Sequence, residues 1–401
     1  MARLSTCFRS TAAALLATTA ALLPTSANAD TGPSVPIGAP VFMVDANSPA
    51  ATPGYIFYST GLSAAQIVPA AADALSKLPP TAPANIVVDK AGHEVWRYIA
   101  PTGHDVSNFQ PQMYRGKHVM TWWEGDALGG HGNGADIIAD EHGHVIDTVK
   151  PGGFSSDVHE FKLTPDGHAL ITSYRQIPKD LSPIGGPKNG QMLDTVASVV
   201  DVASKRVLSE WSAAQHIPLT DTTCPQMPGS DVYDPYHLNS IEMGPHGDLL
   251  LSMRDTSAVY DVDAHSGNIN WQLGGKRPSL APGPGVDFAF QHDAQFTDAN
   301  TIRLFNNNSS GTETHGPSSV QWIHIDPAGH RANLVRNQIH PDAVVAFAMG
   351  NAAAEPNGNT LVGWGMAPRI SEYAPNGDQV FDARLPLGSY RAFPSDWTPT
   401  P

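Results

Sequence analysis

From about residue 40 onward the chain is a succession of short runs in which apolar and polar residues alternate, broken by Asp/Gly turns, with almost no helical period. One unit recurs. An apolar strand, a polar turn and a second strand often ending in Trp appear as NIVVDKAGHEVWRY, ADIIADEHGHVIDT, ASVVDVASKRVLSEW, AVYDVDAHSGNINWQL, VQWIHIDPAGHRANLV and RISEYAPNGDQVFDARL. Their turns fall near Gly92, Gly143, Lys205, Gly267, Gly329 and Gly377, and the three middle steps are 62 residues each. A second set of hairpins is expected between them, turning near Gly54, Gly116, Gly167, Gly247, Asn300 and Gly358. Six inner hairpins alternating with six outer ones predict an all-β fold, a six-bladed β-propeller with four antiparallel strands per blade. The strands are too numerous for one two-sheet sandwich, whereas radial closure leaves few exposed edges. The terminal SYRAFPSDW is placed to help close the ring.

Three histidines occupy matching places in consecutive repeats: His159 in HEFKLTPDGHALITS, His237 in HLNSIEMGPHGDLLLSMR and His292 in HDAQFTDANTIRLFN. Counting to Gly167, Gly247 and Asn300 gives 8, 10 and 8, so strand alternation aims all three imidazoles at one face. In a propeller the first strand of each blade borders the central channel, and the histidines start those strands. Antiparallel pairing then makes Arg254 a cross-strand neighbour of His237. The same rim receives the longest connections, 124–135, 174–197, 212–236 and 274–291, which marks it as the binding face. His93, His142, His265 and His330 fall in turns and are expected to be structural. Around the cluster, Tyr236, Phe290, Asn239 and Trp123 are candidates for substrate contact, Trp122 and Trp364 for packing. The GGHGNGAD segment at 129–136 reads as a flexible blade connection, with an anion cradle of backbone amides as the other reading.

Charge and the chain ends narrow the setting. Arg3 and Arg9, the apolar run at 12–23 and the A-x-A at Ala27-Asn28-Ala29 form an export signal over residues 1–29, leaving one catalytic domain over 30–401. A periplasmic or secreted protein is expected, cleaved near Ala29. Loss of the signal leaves 21 basic residues against 38 acidic ones, a formal charge of −17, which argues against nucleic acid and anionic membranes as partners. Cys7 departs with the signal, so Cys224 is expected to have no intramolecular disulfide partner.

The segments DPYHLNSI, SMRDTSAVYDVDAHSGNINWQLGG, FQHDAQF and SEYAPNGDQVFDARL resemble the arylsulfotransferases, of the arylsulfate sulfotransferase type that needs no nucleotide sulfate donor. The resemblance runs from about residue 40 to 397 and is most specific from Asp234 to Phe296. It implies a six-bladed propeller, commonly periplasmic, that passes a sulfuryl group from an aryl sulfate to a phenol through a sulfated histidine. On this likeness His292 matches the nucleophile, His237 and Arg254 match residues that bind the sulfuryl group and phenolic oxygen, and His159 matches the remaining active-site histidine. The chain lacks room for the extra N-terminal β-domain of the better-studied bacterial branch and lacks the cysteine pair found there. A homodimer is left open.

The residues support this chemistry on their own terms. A neutral imidazole is a competent nucleophile, and a covalent intermediate splits one transfer between poor nucleophiles into two easier steps, with ping-pong kinetics. Arg254 and His237 are suited to stabilise the moving charge, and His159 or His237 to carry the phenolic proton. Asp293 alternates to the opposite strand face and reads as structural or orienting. No cofactor and no metal are called for. Two rival readings stay open: the three histidines hold Zn²⁺ in a lyase or hydrolase, or the propeller is a non-enzymatic binding scaffold. Arg254 and the absence of an evident carboxylate ligand weigh against the metal.

Overall fold

Alternation of buried aliphatic and aromatic residues with Asp/Gly turns builds six antiparallel sheets arranged in a ring, a six-bladed β-propeller, in the computed structural model. The structure describes residues 43–60, 82–224, 232–310 and 313–400; the expected export signal lies outside them. Blade II is a meander of Asp105–Tyr114, Lys117–Leu128, His131–Ala139 and Val145–Val149. Blade III has Phe161–Leu163, His168–Lys179, Gly190–Asp201 and Arg206–Ser212, and blade IV has Leu238–Met243, Leu249–Met253, Ala258–Val262 and Ile269–Gly274. Blade V follows with His292–Asp298, Thr301–Asn306, Ser319–Asp326 and Arg331–Ile339, and gains a short parallel edge from Ala281–Pro282. Blade VI holds Asn351–Ala354, Thr360–Gly363, Arg369–Tyr373 and Gln379–Arg384.

All six outer hairpins turn where the sequence places them, and so do the inner hairpins at Gly116, Gly167, Gly247, Asn300 and Gly358. The inner hairpin expected at Gly54 is corrected. Tyr55–Thr60 pairs instead with Ala392–Ser395, which supplies the innermost strand of blade I beside Ala84–Asp89 and Glu94–Ile99. Met43–Asn47 runs along the outer edge of blade VI. A ring closes when a strand from one end of the chain completes the blade begun by the other, as SYRAFPSDW does here. Gly54 has φ +138°, and a Cβ there would meet the Ser395 carbonyl oxygen at 2.4 Å, so only glycine lets the closing strand pass.

Large side chains fill the wedges between blades. Phe57, Phe109, Met120 and Trp122 pack between blades I and II, and Phe305, Val320, Val362 and Trp364 between V and VI, so both tryptophans serve as core. Two of the four long connections are strand extensions rather than loops. The hairpin at 124–135 continues its ladder through Leu128↔His131, and the segment 174–197 belongs to a twelve-residue pairing that ends at Lys179↔Gly190. Cys224 is buried; the expectation about its pairing turns on Cys7, the other cysteine of the chain, which lies outside the described residues.

At the axis one arginine joins the ring. Arg391, on the closing strand, donates from Nη1 to both carboxylate oxygens of Glu160 in blade III at 3.0 and 3.1 Å and to Asn108 Oδ1 in blade II at 3.3 Å. Its Nη2 donates to the Asn239 carbonyl in blade IV at 2.7 Å, and Nη1 lies 3.6 Å from Asp293 in blade V. Blade VI is tied in by Asn351, which donates to the Ala392 carbonyl and accepts from the Ala392 N–H. Removing one partner of a buried ion pair leaves the other charge uncompensated, at about 3–5 kcal/mol. Arg391→Met is therefore expected to lower unfolding free energy by about that amount. Urea denaturation measures it, and a loss below about 1 kcal/mol would contradict the role given to this residue.

Candidate active site

Bulges at the inner strands, rather than plain alternation, set the histidines. The register slips at Leu238/Ser240 and His292/Gln295, and His237 and Asp293 take left-handed φ values of 56° and 54°. His159 precedes the first strand of blade III, bonded from Nδ1 to Asp157. His237 is held by Asp234, whose Oδ1 accepts the His237 backbone N–H at 3.0 Å and whose Oδ2 lies 2.6 Å from Nδ1. His292 donates from Nδ1 to the Gly350 carbonyl at 2.8 Å, since a backbone carbonyl can only accept. Ring centroids of His159 lie 4.7 Å from His237 and 6.4 Å from His292, and all three rings are buried.

Arg254 joins them as its strand position requires. Its backbone N–H donates to the His237 carbonyl at 3.0 Å, its Nε donates to Asp255 at 2.6 Å, and its guanidinium stands over the Phe290 ring at 5.3 Å. One pocket is lined by His159, His237, His292 and Arg254 together with His131, Tyr390, Ala127, Leu128, Gly130, Val158, Ala348 and Met349. The four residues singled out for chemistry thus meet, while the four expected to touch substrate do not line this pocket. Phe290 packs beneath Arg254; Tyr236 is core, with its hydroxyl donating to the Ile217 carbonyl at 2.7 Å. Asn239 donates to the Gln291 carbonyl at 2.8 Å, and Trp123 donates from its indole to the Ser156 carbonyl at 2.9 Å. Asp293 accepts from Gln295 at 2.9 Å and from the Ala352 N–H at 3.3 Å, a structural anchor facing Arg391.

Several residues in and beside the pocket escaped the sequence reading. Tyr390 packs edge-on to His292 at 5.1 Å and donates from its hydroxyl to the His159 carbonyl at 2.9 Å. Tyr174 sits 4.5 Å from His131 and donates to the Leu238 carbonyl at 2.8 Å. His131 comes from GGHGNGAD, which is no flexible connection but the tip and return strand of the long blade II hairpin. Gly132 and Gly134 lie flat on Trp123: a Cβ on either would stand 2.5 or 2.7 Å from the indole. The Gly132 N–H donates to Asp157 at 2.6 Å, so the tip also steadies the carboxylate behind His159. The carboxylates missed earlier stand two and three residues before their histidines, in DVH and DPYH.

Burial moves the titrations. His237 is held well below the ordinary imidazole range by burial and then by Arg254, and His292 by burial and then by Arg391. Burial pushes the Asp255 carboxyl up, with Arg254 opposing. Among the described residues, the group whose ligand atoms lie close enough together to hold a metal is His131, Asp234 and His237; His159 and His292 are not part of it.

A β-propeller with a buried histidine/arginine pocket on its axis is the class this geometry defines. The model of the arylsulfotransferase (ASST) family matches residues 110–385, and the chain belongs to that family. Family membership supports arylsulfotransferase activity in general, with aryl sulfates and phenols as substrates. No curated protein matches the chain significantly. Similar solved structures include a protein of unknown function from Bacteroides caccae, 13% identical with TM-score 0.48, covering 86% of this chain and 99% of its own. A periplasmic gluconolactonase from Pseudomonas aeruginosa is 14% identical with TM-score 0.42, covering 86% and 98%. Virginiamycin B lyase from Staphylococcus aureus is 9% identical with TM-score 0.41, covering 86% and 85%.

Two outcomes follow from the packing and the titrations. Gly132→Ala forces its Cβ against Trp123 and Val158 and is expected to cost about 1–3 kcal/mol, read by thermal unfolding; an unchanged melting point would contradict the close approach. His237 and His292 stay neutral in the folded chain where the unfolded chain takes up protons, below about pH 6.5. Their contribution to stability is whole above that pH and is lost as pH falls through it, because the unfolded state then binds more protons. Between about pH 7.5 and 5.5, the fall in urea-unfolding free energy is expected to be smaller in His292→Asn than in the unaltered protein. Parallel pH profiles for the two proteins would contradict a depressed His292.

Proposed function

We propose that the protein transfers a sulfuryl group from an aryl sulfate to a phenol by a ping-pong route through N-sulfated His292. The observation that carries this reading is the anchoring of three Nδ1 atoms, which leaves three Nε2 atoms for the pocket beside the Arg254 guanidinium. The anchors differ. His292 leans on a neutral carbonyl and is kept unprotonated by burial, as a nucleophile requires; His159 leans on the Asp157 carboxylate, which suits it to carry the phenolic proton, while His237, on Asp234, is held neutral by burial and then by Arg254.

In the first half-reaction the His292 Nε2 lone pair attacks sulfur as the sulfur–aryl oxygen bond breaks. The leaving phenolic oxygen takes the proton of an imidazolium, His159 with Asp157 behind it. Arg254 stabilises charge on the peripheral and leaving oxygens. In the second half-reaction His159 takes the proton of the acceptor phenol, whose oxygen attacks sulfur while the N–S bond to His292 breaks. His159 is then ready for the next donor. The walls formed by Leu128, Val158, Met349 and Tyr390 suit an aromatic ring. A periplasmic or secreted setting, after removal of the export signal near Ala29, accords with the sequence and completes this reading.

The test is turnover of 4-nitrophenyl sulfate with phenol as acceptor and EDTA present. Expected are nitrophenol release that depends on the acceptor, parallel double-reciprocal lines, and a loss of about 10³-fold or more in His292→Asn. Acceptor-independent release, intersecting lines, or a His292→Asn variant of undiminished rate would each overturn the mechanism.

A further inference from the structure

We propose that His131, Asp234 and His237 form a binding site for one zinc-class divalent cation at the mouth of the pocket. The ligand atoms these three residues offer lie within 4.8 Å of one another. His131 Nε2 stands 3.4 Å from Asp234 Oδ2, a separation too long for a well-formed hydrogen bond. It is also the edge of a tetrahedron whose metal bonds are about 2.0–2.1 Å, roughly 3.3–3.4 Å. The other nitrogen of His131, Nδ1, is buried and has no hydrogen-bond partner among the described residues, so no competing bond fixes this ring. The 2.6 Å separation between His237 Nδ1 and Asp234 Oδ2 is a hydrogen bond, and it opens by less than an ångström (about 0.7–0.8 Å) when an ion replaces the proton between them.

The surrounding charge favours a cation. Three carboxylates, Asp157, Asp234 and Asp255, stand behind the pocket residues, while the guanidinium of Arg254 is engaged by Asp255 at 2.6 Å. With its charge met by Asp255, Arg254 opposes a cation here only weakly. Two imidazoles and one carboxylate leave the fourth tetrahedral position open, the arrangement of a site that also accepts water or a substrate oxygen. Ligation through Nδ1 leaves the neutral His237 ring with its proton on Nε2, so the pocket-side nitrogen changes from acceptor to donor.

The site is tested on the full mature protein, without an affinity tag, by calorimetric titration with Zn²⁺ and by visible absorption on adding Co²⁺. Expected is one equivalent bound, with the intense visible bands of tetrahedral cobalt, and affinity at least about 10-fold weaker in His131→Gln and in Asp234→Asn. His292→Asn is expected to bind as the unaltered protein does. His131→Gln lies at the partly exposed mouth, so it tests the site even where Asp234→Asn fails to fold. Absence of binding, or equal binding in both ligand variants, would overturn the proposal. The readout is occupancy and not turnover, so its failure leaves the sulfuryl-transfer reading untouched.

Discussion

The ring depends on a single guanidinium. Arg391 lies on the axis with its charge in contact with blades II, III, IV and V, and it rides on the strand that closes blade I. Two buried carboxylates, Glu160 and Asp293, have their countercharge there, and a carboxylate without one is costly to bury. Each of those acids immediately follows a pocket-lining histidine in sequence. The ionic layer and the imidazole layer are therefore adjacent floors of one shaft. Holding the lower floor fixes the positions from which His159 and His292 project, and its positive charge adds to burial in keeping His292 neutral.

The three histidines of the upper floor share a residue type and differ in what stands behind them. A backbone carbonyl cannot stabilise an imidazolium as a carboxylate does, so His292 and the pair His159 and His237 are chemically distinct before any substrate arrives. Second-layer partners thereby distinguish otherwise identical side chains. Asp234 does more than orient one ring: it also caps the backbone N–H groups of Tyr236 and His237, which supports the left-handed turn from which His237 enters the pocket.

Much of this was legible in the sequence because a propeller is periodic. Turns at Gly92, Gly143, Lys205, Gly267, Gly329 and Gly377 gave the outer hairpins, and the shared register of His159, His237 and His292 gave the axis. What stayed hidden is what periodicity does not encode. Gly54 looked like another hairpin turn because local pattern cannot tell a connection from a place where a distant strand passes. The bulges at His237 and Asp293 broke the alternation on which face assignments rest; Asp293, read as structural or orienting, meets Arg391 and the Ala352 N–H. Tyr236, Phe290, Asn239 and Trp123 were near the site in sequence but are packed behind it. His131 and Tyr390 reached it from a glycine-rich hairpin tip and from the far end of the chain.

Closure by Ala392–Ser395 also completes the pocket from a distant part of the chain. Tyr390 and Arg391 are among the last of the described residues to be synthesised, yet one forms a wall of the pocket and the other its electrostatic floor. Unless that strand is docked, His159 and His292 lack the Tyr390 ring beside them and the Arg391 charge beneath them. The pocket is therefore a property of the closed ring and of no single blade within it.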